Sequence, residues 1–463
     1  MGGGGLEQAD KPSLRMMSRT ISIRSGQRSI ASEVGGDVRP SHWPGLGGAN
    51  AVDPKQGAGA IFSELGVRSE PPRLGSGRSR LKVLQVVEAT FAGVGRHVAD
   101  LCAALLVRGH EVHLAYSPVR IEERFVRAIA ALTDLHTFSL RLTRAPSPSD
   151  IRAILTLRRY IRAHGPFDVV HGHSSKGGAV ARLAAAGLGA ARVYTAHALR
   201  TLDPDLSRGE RIVYEAVERV LGKGLTEAFV GVAREEACEA RRLGMAAERT
   251  HVVPNGIVLP VMADRATVRA RYSLDDGHVC LMWVGRLSPQ KAPDRFVRLL
   301  ASLAEQMPEV RAVMIGSGPL EAGLRELVRD LGLAARLQLV QDQQAVLSMR
   351  AADIYVMTSR YEGLPYVLLE AQSLGLPVVA FDVGGLSTAV DHGATGFVLA
   401  QDDEAGFDAA LRRLISDAGL RRDMGDAAGR RAERFRLQDM VDRIEALYFR
   451  LSADGCSGAL APT

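Results

Sequence analysis

Short apolar runs alternate with longer amphipathic segments along most of the chain. The runs are rich in Val, Ile and Leu, which is typical of strands buried on both faces of a parallel sheet. Strands are predicted within these stretches: 81–87, 109–114, 167–172, 192–196, 229–233, 279–284, 313–315, 337–340, 354–357, 378–381 and 393–398. The segments between them have helical periodicity, so the alternation indicates an α/β protein with parallel, doubly wound sheets.

The length of 463 residues favours two domains. Residues 1–79 are rich in Gly, Ser, Arg and Pro and lack sustained apolar periodicity, so we predict a disordered segment or an extension outside the folded part. Residues 80–256 are expected to form a first Rossmann-like domain, and residues 257–436 a second. The segment 437–452 is predicted to be a helix that crosses back to the first domain, and 453–463 a loose tail.

The connection between the two domains is predicted at a turn. The stretch 229–233 is expected to be the last strand of the first sheet, and the chain then leaves the first domain at 251–257. The dipeptide Asn255-Gly256 in this turn favours a tight reversal with positive φ. We therefore expect the turn to set the hinge geometry.

The balance of charges narrows the classes of partner. The chain has a formal net charge of +6 and a sequence pI of about 9.3, which favours nucleic acid, an anionic membrane surface or phosphorylated ligands. Nucleic acid is not expected, because the arginines are spread over helices without interleaved aromatic residues.

One predicted helix is basic and amphipathic. Residues 150–164 carry several arginines, and the apolar residues expected to share one side are Ile151, Ile154, Leu155 and Ile161. Two interpretations stay open: a packed helix with a solvated charged face, or a helix that lies on an anionic membrane surface.

Cysteine usage indicates the compartment. The 4 cysteines, Cys102, Cys238, Cys280 and Cys456, lie far apart without a C-x-x-C pair. This spacing argues against a zinc site or a disulfide framework and fits a reducing cytoplasm. No apolar run is long enough to span a bilayer, and the N-terminal residues lack the apolar core of a signal peptide. We expect a cytoplasmic protein, with peripheral contact to the membrane as an open alternative.

The stretch 352–385 carries the strongest chemical signal. A buried strand at 354–357 is followed by a polar loop, then Pro365 and a helix. Glu362 and Glu370 are thereby placed at the carboxyl end of a parallel strand, where ligands bind in open α/β sheets. The helix start also offers free backbone N–H groups to a diphosphate.

This unit, S-R-x-E-G-L-P-x-x-x-L-E-A, resembles the E-x7-E signature of retaining GT-B glycosyltransferases of family 4. The resemblance implies two Rossmann-like domains that face each other across a cleft, an acceptor domain followed by a donor domain. It also implies transfer of a hexose or hexosamine from a UDP- or GDP-linked sugar to a lipid-linked or polysaccharide acceptor, with retention at the anomeric carbon. Glu362 would hold the sugar hydroxyls and Glu370 the ribose hydroxyls.

Two cations are predicted to bind the diphosphate. The loop 285–291 is similar to the G-R-L-x-x-x-K loop of that family, and it supplies the planar guanidinium of Arg286 and the compact charge of Lys291. Backbone at Gly285 and Gly316 is expected to approach the nucleotide. By the same resemblance, the donor-binding residues also include Gly93, Gly363 and Leu364.

The acceptor side is predicted from two further motifs. Residues 171–178 are similar to the H-x-H-S-S-K-A-G stretch of polysaccharide-building family members, which points to His173 and Lys176. The stretch 194–197 matches their Y-T-x-H motif, so His197 is expected to orient the sugar or the acceptor. These assignments come from the resemblance.

No metal and no other cofactor is expected. Asp203-Pro204-Asp205 is similar to the metal-binding D-x-D of another transferase fold, but it does not directly follow an apolar strand. Two cations already serve the diphosphate. We therefore interpret this tripeptide as a loop.

Three other functions stay open. A sugar-nucleotide 2-epimerase on a similar fold would need no acceptor. A dinucleotide-dependent oxidoreductase is disfavoured, because no G-x-G-x-x-G follows Val87. A non-catalytic sugar-nucleotide-binding protein is disfavoured because both glutamates and both cations are present.

Overall fold

Two parallel β-sheets organise the part of the chain that the computed structural model describes, residues 80–143, 146–259, 263–342 and 344–457. The first sheet has the strand order β3-β2-β1-β4-β5-β6-β7 and the second the order β10-β9-β8-β11-β12-β13. The strands of the first sheet are β1 (Lys82–Val87), β2 (Glu111–Tyr116), β3 (His136–Ser139), β4 (Val169–His173), β5 (Ala191–Thr195), β6 (Ala228–Gly231) and β7 (Thr250–Val252). Those of the second are β8 (Val279–Val284), β9 (Val310–Ile315), β10 (Leu337–Val340), β11 (Ile354–Met357), β12 (Val378–Phe381) and β13 (Gly396–Leu399).

Helices connect the strands and cover both faces of the sheets. In the first half they are α1 (Ala92–Val107), α2 (Glu123–Ala130), α3 (Ser149–His164), α4 (Ser175–Ala185), α5 (Arg208–Gly224) and α6 (Arg234–Arg242). In the second half they are α7 (Arg265–Arg271), α8 (Pro293–Ala304), α9 (Glu321–Asp330), α10 (Ala345–Ser348), α11 (Tyr366–Ser373), α12 (Leu386–Ala389), α13 (Glu404–Ser416), α14 (Ala418–Ala432) and α15 (Leu437–Ser457).

The strand order creates a switch point in each sheet. β1 pairs with both β2 and β4, and β8 pairs with both β9 and β11, so the connections run to opposite sides from a central strand. Ligands of doubly wound sheets bind outside the carboxyl ends of the strands at this point. The predicted α/β class with two doubly wound Rossmann-like domains is confirmed.

Buried apolar side chains form separate cores on the two faces of the first sheet. One core joins β1 residues such as Val83 and Val87 to α1, α2 and α15. The other joins Leu84 and Val86 of the same strand to α3 and α4. Alternation along β1 therefore fixes which helices lie on which face.

The last helix returns to the first domain. The backbone N–H of Ile257 donates to the carbonyl of Phe435 (2.7 Å), and that of Leu437 donates to the carbonyl of Ile257 (2.9 Å). From there α15 packs into the core of the first domain through Ile444 and Tyr448, among others.

Gly256 serves a different purpose from the predicted one. A Cβ atom at this position would lie 2.6 Å from Cα of Leu437, so the glycine permits the close approach of the returning chain. Its φ is not in the positive range. The prediction of a positive-φ turn was wrong, because packing rather than a tight reversal requires the glycine.

Several element boundaries differ from the sequence-based expectation. Two strands were not predicted: β3 (His136–Ser139), and β7 (Thr250–Val252), which follows the strand expected to be last. The helix α14 was not predicted either. α15 continues to Ser457, past the expected end at 452. The expected tail beyond 457 and the predicted extension 1–79 lie outside the described residues.

The apolar side of α3 also differs. Ala153, Leu157 and Ile161 are its buried residues, whereas Ile151 and Leu155 are 63% and 49% exposed. The helix therefore packs against the sheet through a narrow stripe made of these three buried residues. Across the described residues, none of the helices combines the length and the apolar character that crossing a membrane requires.

Candidate functional site

Glu362, one of the predicted site residues, lies in a cavity where the two domains meet. A cavity of about 450 Å³ is lined by residues of both domains: Leu202, Pro204, Asp205, Glu235, Arg360, Tyr361, Glu362, Gly384 and Gln401. A second cavity of about 450 Å³ lies by Lys82, Glu111 and Asp168. These residues are at or near the amino ends of β1, β2 and β4. We consider the inter-domain cavity the site, because parallel sheets bind ligands at their carboxyl ends.

Glu362 and Lys291 form an ion pair in this cleft. The Lys291 ammonium lies 2.5 Å from Oε1 of Glu362, and the two side chains are only 18% and 8% exposed. The polar loop after β11 and the loop after β8 thereby bring one predicted cation and one predicted carboxylate together. An ion pair of this kind can serve both the hydroxyls and the phosphates of one ligand.

Glu370 is paired across the cleft with a residue that the sequence analysis did not select. The guanidinium of Arg96, on α1, donates a hydrogen bond to the Glu370 carboxylate on α11. The same guanidinium lies 4.8 Å from the ring centroid of Tyr366. Burial opposes the charge on Arg96, yet the carboxylates of Glu370 and Asp100 raise its pKa above the usual value. Its charge is therefore permanent.

Arg286 lies next to the first domain, and the predicted glycines are positions of close packing. Arg286 is exposed and its guanidinium is 5.4 Å from the ring centroid of Phe91, in the first domain. A Cβ atom at Gly316 would lie 1.9 Å from the carbonyl oxygen of Gly285, so only glycine fits there. At Gly93 a Cβ atom would meet the Tyr366 ring at 3.2 Å, which places this residue against α11.

Gly363 and Leu364, in the loop that precedes α11, contact the first domain. A Cβ atom at Gly363 would lie 3.1 Å from the backbone nitrogen of Ala198. The side-chain amide of Asn255 donates to the Leu364 carbonyl (2.7 Å). Asn255 therefore links the predicted hinge directly to the loop that precedes α11.

Three histidines converge on the first-domain side of the cleft. Nδ1 of His173 lies 3.0 Å from Nε2 of His197, and the ring centroids of His97 and His197 are 4.5 Å apart. Burial lowers the pKa of His97 to about 4. Burial, followed by the neighbouring histidines, lowers the pKa of His173 and His197 well below the usual value. All three rings are therefore neutral at neutral pH.

Hydrogen bonds define which nitrogens carry protons. The amide nitrogen of Gln85 donates to the hydroxyl of Tyr448 (3.1 Å), so its oxygen accepts from Nε2 of His173 (2.7 Å). Nδ1 of His173 is then an acceptor, and Nε2 of His197 donates to it. Nδ1 of His197 keeps a lone pair that a substrate hydroxyl can use.

The loop that carries His197 is strained and is held by a buried carboxylate. His197 and Ala198 have φ values of 56° and 91°, which non-glycine residues rarely adopt. Glu236 accepts hydrogen bonds from the backbone N–H groups of Val232 (2.8 Å) and Ala198. Burial raises the pKa of Glu236 to about 7, while these N–H groups oppose the shift.

Strained backbone is concentrated at this edge of the sheets. Of the six non-glycine residues with positive φ in the described part, five follow β1, β4, β5 or β8: Ala92, Ser174, His197, Ala198 and Ala292. Strain of this kind persists where the surrounding structure imposes it, and it clusters at functional sites. This distribution supports the location independently of the side chains.

Lys176 is placed beside α3. Its ammonium lies 2.8 Å from Oδ2 of Asp150, at the start of that helix. His173, the other residue expected on the acceptor side, contacts His197 directly.

Metal-ligating atoms come together in two groups among the described residues. One is His97, His173 and His197, and the other is Glu111, His113 and His136; in each group the ligating atoms lie within 4.8 Å of one another. The tripeptide Asp203-Pro204-Asp205 forms neither. There Oδ1 of Asp203 accepts from the Asp205 N–H (3.0 Å), a local turn of the kind expected for a loop.

Sequence reasoning missed five residues that shape the site: Gln85, Arg96, His97, Glu236 and Asn255. Each acts through a contact with a residue far away in the chain, as in the pair of Arg96 with Glu370. The Asn-Gly dipeptide did mark Asn255 as a special position, although for another reason.

The architecture defines the class of protein. Sucrose-phosphate synthase from Thermosynechococcus elongatus is similar over 81% of this chain and 100% of its own, with a TM-score of 0.69 and 20% identity. Anabaena Alr3699/HepE in complex with UDP-glucose is similar over 79% of this chain and 99% of its own, with a TM-score of 0.66 and 19% identity. These likenesses show the fold: the chain has the GT-B architecture.

The family follows from sequence. Residues 91–259 match the model described as Glycosyltransferase Family 4, and residues 264–431 match that of Glycosyl transferases group 1. A D-inositol 3-phosphate glycosyltransferase of Acidothermus cellulolyticus is 33% identical over 62% of this chain and 68% of its own. The corresponding Nocardia farcinica protein is 37% identical over 56% of this chain. The chain belongs to the family 4, group 1 glycosyltransferases, and it spans 61% of that Nocardia relative's length.

Proposed function

We propose that the protein transfers a hexose or hexosamine from a nucleoside-diphosphate sugar to an acceptor hydroxyl, with retention of anomeric configuration. The observation that carries the proposal is the pair of carboxylates at the start of α11 and in the loop before it. Glu362 is joined there to the cation Lys291, and Glu370 faces the first domain. Family membership supports the reaction class.

Leaving-group stabilisation is the main task in such a transfer. As the bond between the sugar and the phosphate breaks, negative charge accumulates on the diphosphate. Arg286, Lys291 and the free N–H groups at the start of α11 lie on the donor-domain side of the cleft, and preorganised donors of this kind lower the barrier. Arg286 is exposed, so a diphosphate can reach its guanidinium.

The two carboxylates would bind different parts of the donor. We assign the sugar hydroxyls to Glu362 and the ribose hydroxyls to Glu370. Because Arg96 is bonded to Glu370, the ribose must share or displace this arginine when the donor enters. Donor binding would thus change a contact between the domains, which couples it to the closure that excludes water.

The neutral histidines would orient the sugar or the acceptor. The lone pair on Nδ1 of His197 can accept a hydrogen bond from a hydroxyl, and His173 fixes that tautomer. Neutral rings add no positive charge on the side opposite the diphosphate.

We also propose the base of the donor nucleotide and the class of acceptor. We propose a UDP- or GDP-linked donor, and the HepE complex with UDP-glucose supports the uridine nucleotide. For the acceptor we propose a lipid-linked or polysaccharide chain, as in exopolysaccharide synthesis. The curated relatives named as D-inositol 3-phosphate glycosyltransferases favour a second candidate, a small phosphorylated polyol.

We further propose that transfer requires no metal ion and takes place in the cytoplasm, with peripheral contact to the membrane. Arg286 and Lys291 supply the positive charge that a divalent ion supplies in other transferases. Activity in excess chelator tests this: full activity is expected, and a loss that magnesium or manganese restores would overturn it.

Mass spectrometry tests the reaction. UDP- and GDP-sugars are incubated with lipid-diphosphate acceptors or inositol phosphate, and a product heavier by one sugar is expected with one acceptor class. A sugar epimer formed without acceptor, which has the same mass and is separated by chromatography, would select the epimerase. Donor binding without turnover over all acceptors would select a non-catalytic protein, and a nicotinamide absorbance change an oxidoreductase.

A further inference from the structure

Exposed apolar side chains are concentrated on one part of the molecule. Of the ten large hydrophobic residues that are exposed in the described part, seven lie on the three helices α3, α4 and α5. They are Ile151, Leu155, Leu183, Ile212, Val213, Val217 and Val220. Single exposed apolar residues are normal on a protein surface, whereas a concentration of this kind indicates a binding surface.

The three helices are neighbours in one layer. The guanidinium of Arg158 on α3 donates to the Ala184 carbonyl on α4 (3.0 Å). Arg182 on α4 donates to Glu218 on α5 (3.1 Å). Their outer surfaces form one continuous surface on the side of the first sheet opposite α15, which we name the α3–α5 face.

Helix α5 is apolar on its outside. Ile212, Ala216 and Val220 follow each other at i, i+4 and i+8, and Val213 and Val217 extend the stripe by one position. Ile212 and Val220 are 68% and 69% exposed. The buried residues of the helix are Glu218, Leu221 and Gly222. Most of the large apolar side chains of α5 therefore face outward, where a surface helix usually carries polar ones.

Cations border this apolar surface. Arg152, Arg159 and Arg162 are exposed on α3, and Arg208 and Lys223 are exposed on α5. Three acidic residues nearby have partners: Asp150 binds Lys176, Glu215 binds Arg219 and Arg242, and Glu210 caps α5 through Ser207. Apolar side chains bordered by cations are typical of helices that lie in the interface of an anionic bilayer.

We propose that the α3–α5 face lies on an anionic lipid surface. A second copy of the chain is the less suitable occupant, because its own cations would face like charges. If the proposed function is right, this face is where the enzyme meets a lipid-linked acceptor. That role rests on the proposed glycosyl transfer, whereas binding of the face to lipid does not.

The position of α5 connects this surface to the cleft. The guanidinium of Arg211 donates to the carbonyls of Thr201 (2.5 Å) and Asp203 (2.9 Å). Both carbonyls belong to the segment between His197 and α5, and Arg200 of the same segment reaches the Tyr361 hydroxyl of the second domain (3.2 Å). A lipid surface that binds α5 therefore lies next to the acceptor side.

Vesicle flotation with the purified full chain tests the proposal without substrates. We expect binding to phosphatidylcholine vesicles that contain about one third phosphatidylglycerol, and loss of it between about 0.1 M and about 0.5 M salt. Pure phosphatidylcholine should bind little. Arg159→Gln with Arg162→Gln should weaken binding about fivefold for each arginine removed. Ile212→Ser with Val220→Ser should weaken it about tenfold.

The matched control is Val119→Ser with Leu331→Ser, which removes two exposed apolar residues outside the α3–α5 face. Its binding should equal that of the wild type. Equal binding of all variants, or equal binding to both vesicle types, would overturn the proposal. So would a wild-type dimer in sedimentation that the α5 variant converts to a monomer. If vesicles bind as expected but no sugar is transferred, the proposed function alone fails.

Discussion

At the scale of single residues, the cleft is defined by carboxylates that already have cationic partners. Glu362 pairs with Lys291 within the second domain, whereas Glu370 pairs with Arg96 of the first. The sequence motif identified both glutamates but not Arg96. A contact between residues 274 positions apart leaves no local pattern in the sequence. The same holds for Glu236, whose carboxylate binds the backbone of Ala198.

The proposed ribose contact predicts a selective effect of Glu370→Gln. The ribose stays bound during transfer, so its contact with Glu370 contributes equally before and during the reaction. Loss of this contact should raise the donor KM about tenfold to a hundredfold and change kcat little. Steady-state kinetics with the identified donor measure both. Glu404→Gln, whose side chain is 68% exposed, is the matched control and should leave both unchanged. An unaltered KM in Glu370→Gln would refute the ribose assignment.

Glu236 holds the strained loop at His197 and Ala198 through hydrogen bonds, so we predict an effect of Glu236→Gln. The amide keeps one acceptor oxygen in place of two, so one of the two N–H groups loses its partner. We expect a cost of about 1 to 3 kcal/mol in the free energy of unfolding and a fall in kcat of about tenfold, because His197 shifts. Urea denaturation and kinetics measure these quantities. The exposed Glu248→Gln serves as control, and equal behaviour of the two variants would show that the loop needs no clamp.

At the scale of elements, the strand and helix pattern was readable because each element has its own periodicity. The runs at 279–284, 337–340, 354–357 and 378–381 coincide with β8, β10, β11 and β12. The short strand β7 was missed because it has only one buried residue. For α3, the wrong apolar side was predicted, because the helix carries a second stripe, Ala153, Leu157 and Ile161, that packs into the core with α4.

The return of α15 depends on a buried ion pair. Glu445 of this helix accepts hydrogen bonds from Arg108 (2.6 Å) and His110 (2.6 Å), and the side chains of all three are fully buried. Glu445→Ala leaves Arg108 buried with only Asp442 beside it, so we expect a loss of about 3 to 5 kcal/mol in stability.

Thermal or urea denaturation measures this loss. Glu433→Ala, which removes an exposed carboxylate that is 3.4 Å from Arg436, is the control and should cost at most about 0.5 kcal/mol. A similar effect of both substitutions would mean that α15 does not depend on its buried pair.

At the scale of the whole molecule, the buried histidines of the shared cleft make the stability of the protein depend on pH. The pKa of His97 is lowered to about 4 in the folded protein, against 6.5 for an ordinary histidine. Below pH 6.5 the unfolded chain binds a proton that the folded chain does not. The contribution of His97 to stability is therefore complete above pH 6.5 and is lost as the pH falls towards 4.

His97 alone should account for about 3 kcal/mol of this loss. The free energy of unfolding, measured by urea denaturation between pH 4 and pH 7.5, should fall less steeply in His97→Asn, which retains an acceptor or donor for Asn255. Because Glu236 titrates in both proteins, its opposite contribution cancels in the comparison. Identical slopes would show that His97 is charged in the fold.

One proposal is central: the second domain binds the diphosphate of a sugar nucleotide, and the first domain presents the acceptor. The most direct test monitors acceptor-dependent release of nucleoside diphosphate by mass spectrometry. It compares the wild type with Lys291→Ala and Glu362→Gln. Arg325→Ala, at an exposed cation paired with Glu321, is the control. We expect the first two variants to lose about a hundredfold or more in kcat and the control to match the wild type. Near-normal turnover in Lys291→Ala or Glu362→Gln would contradict the account.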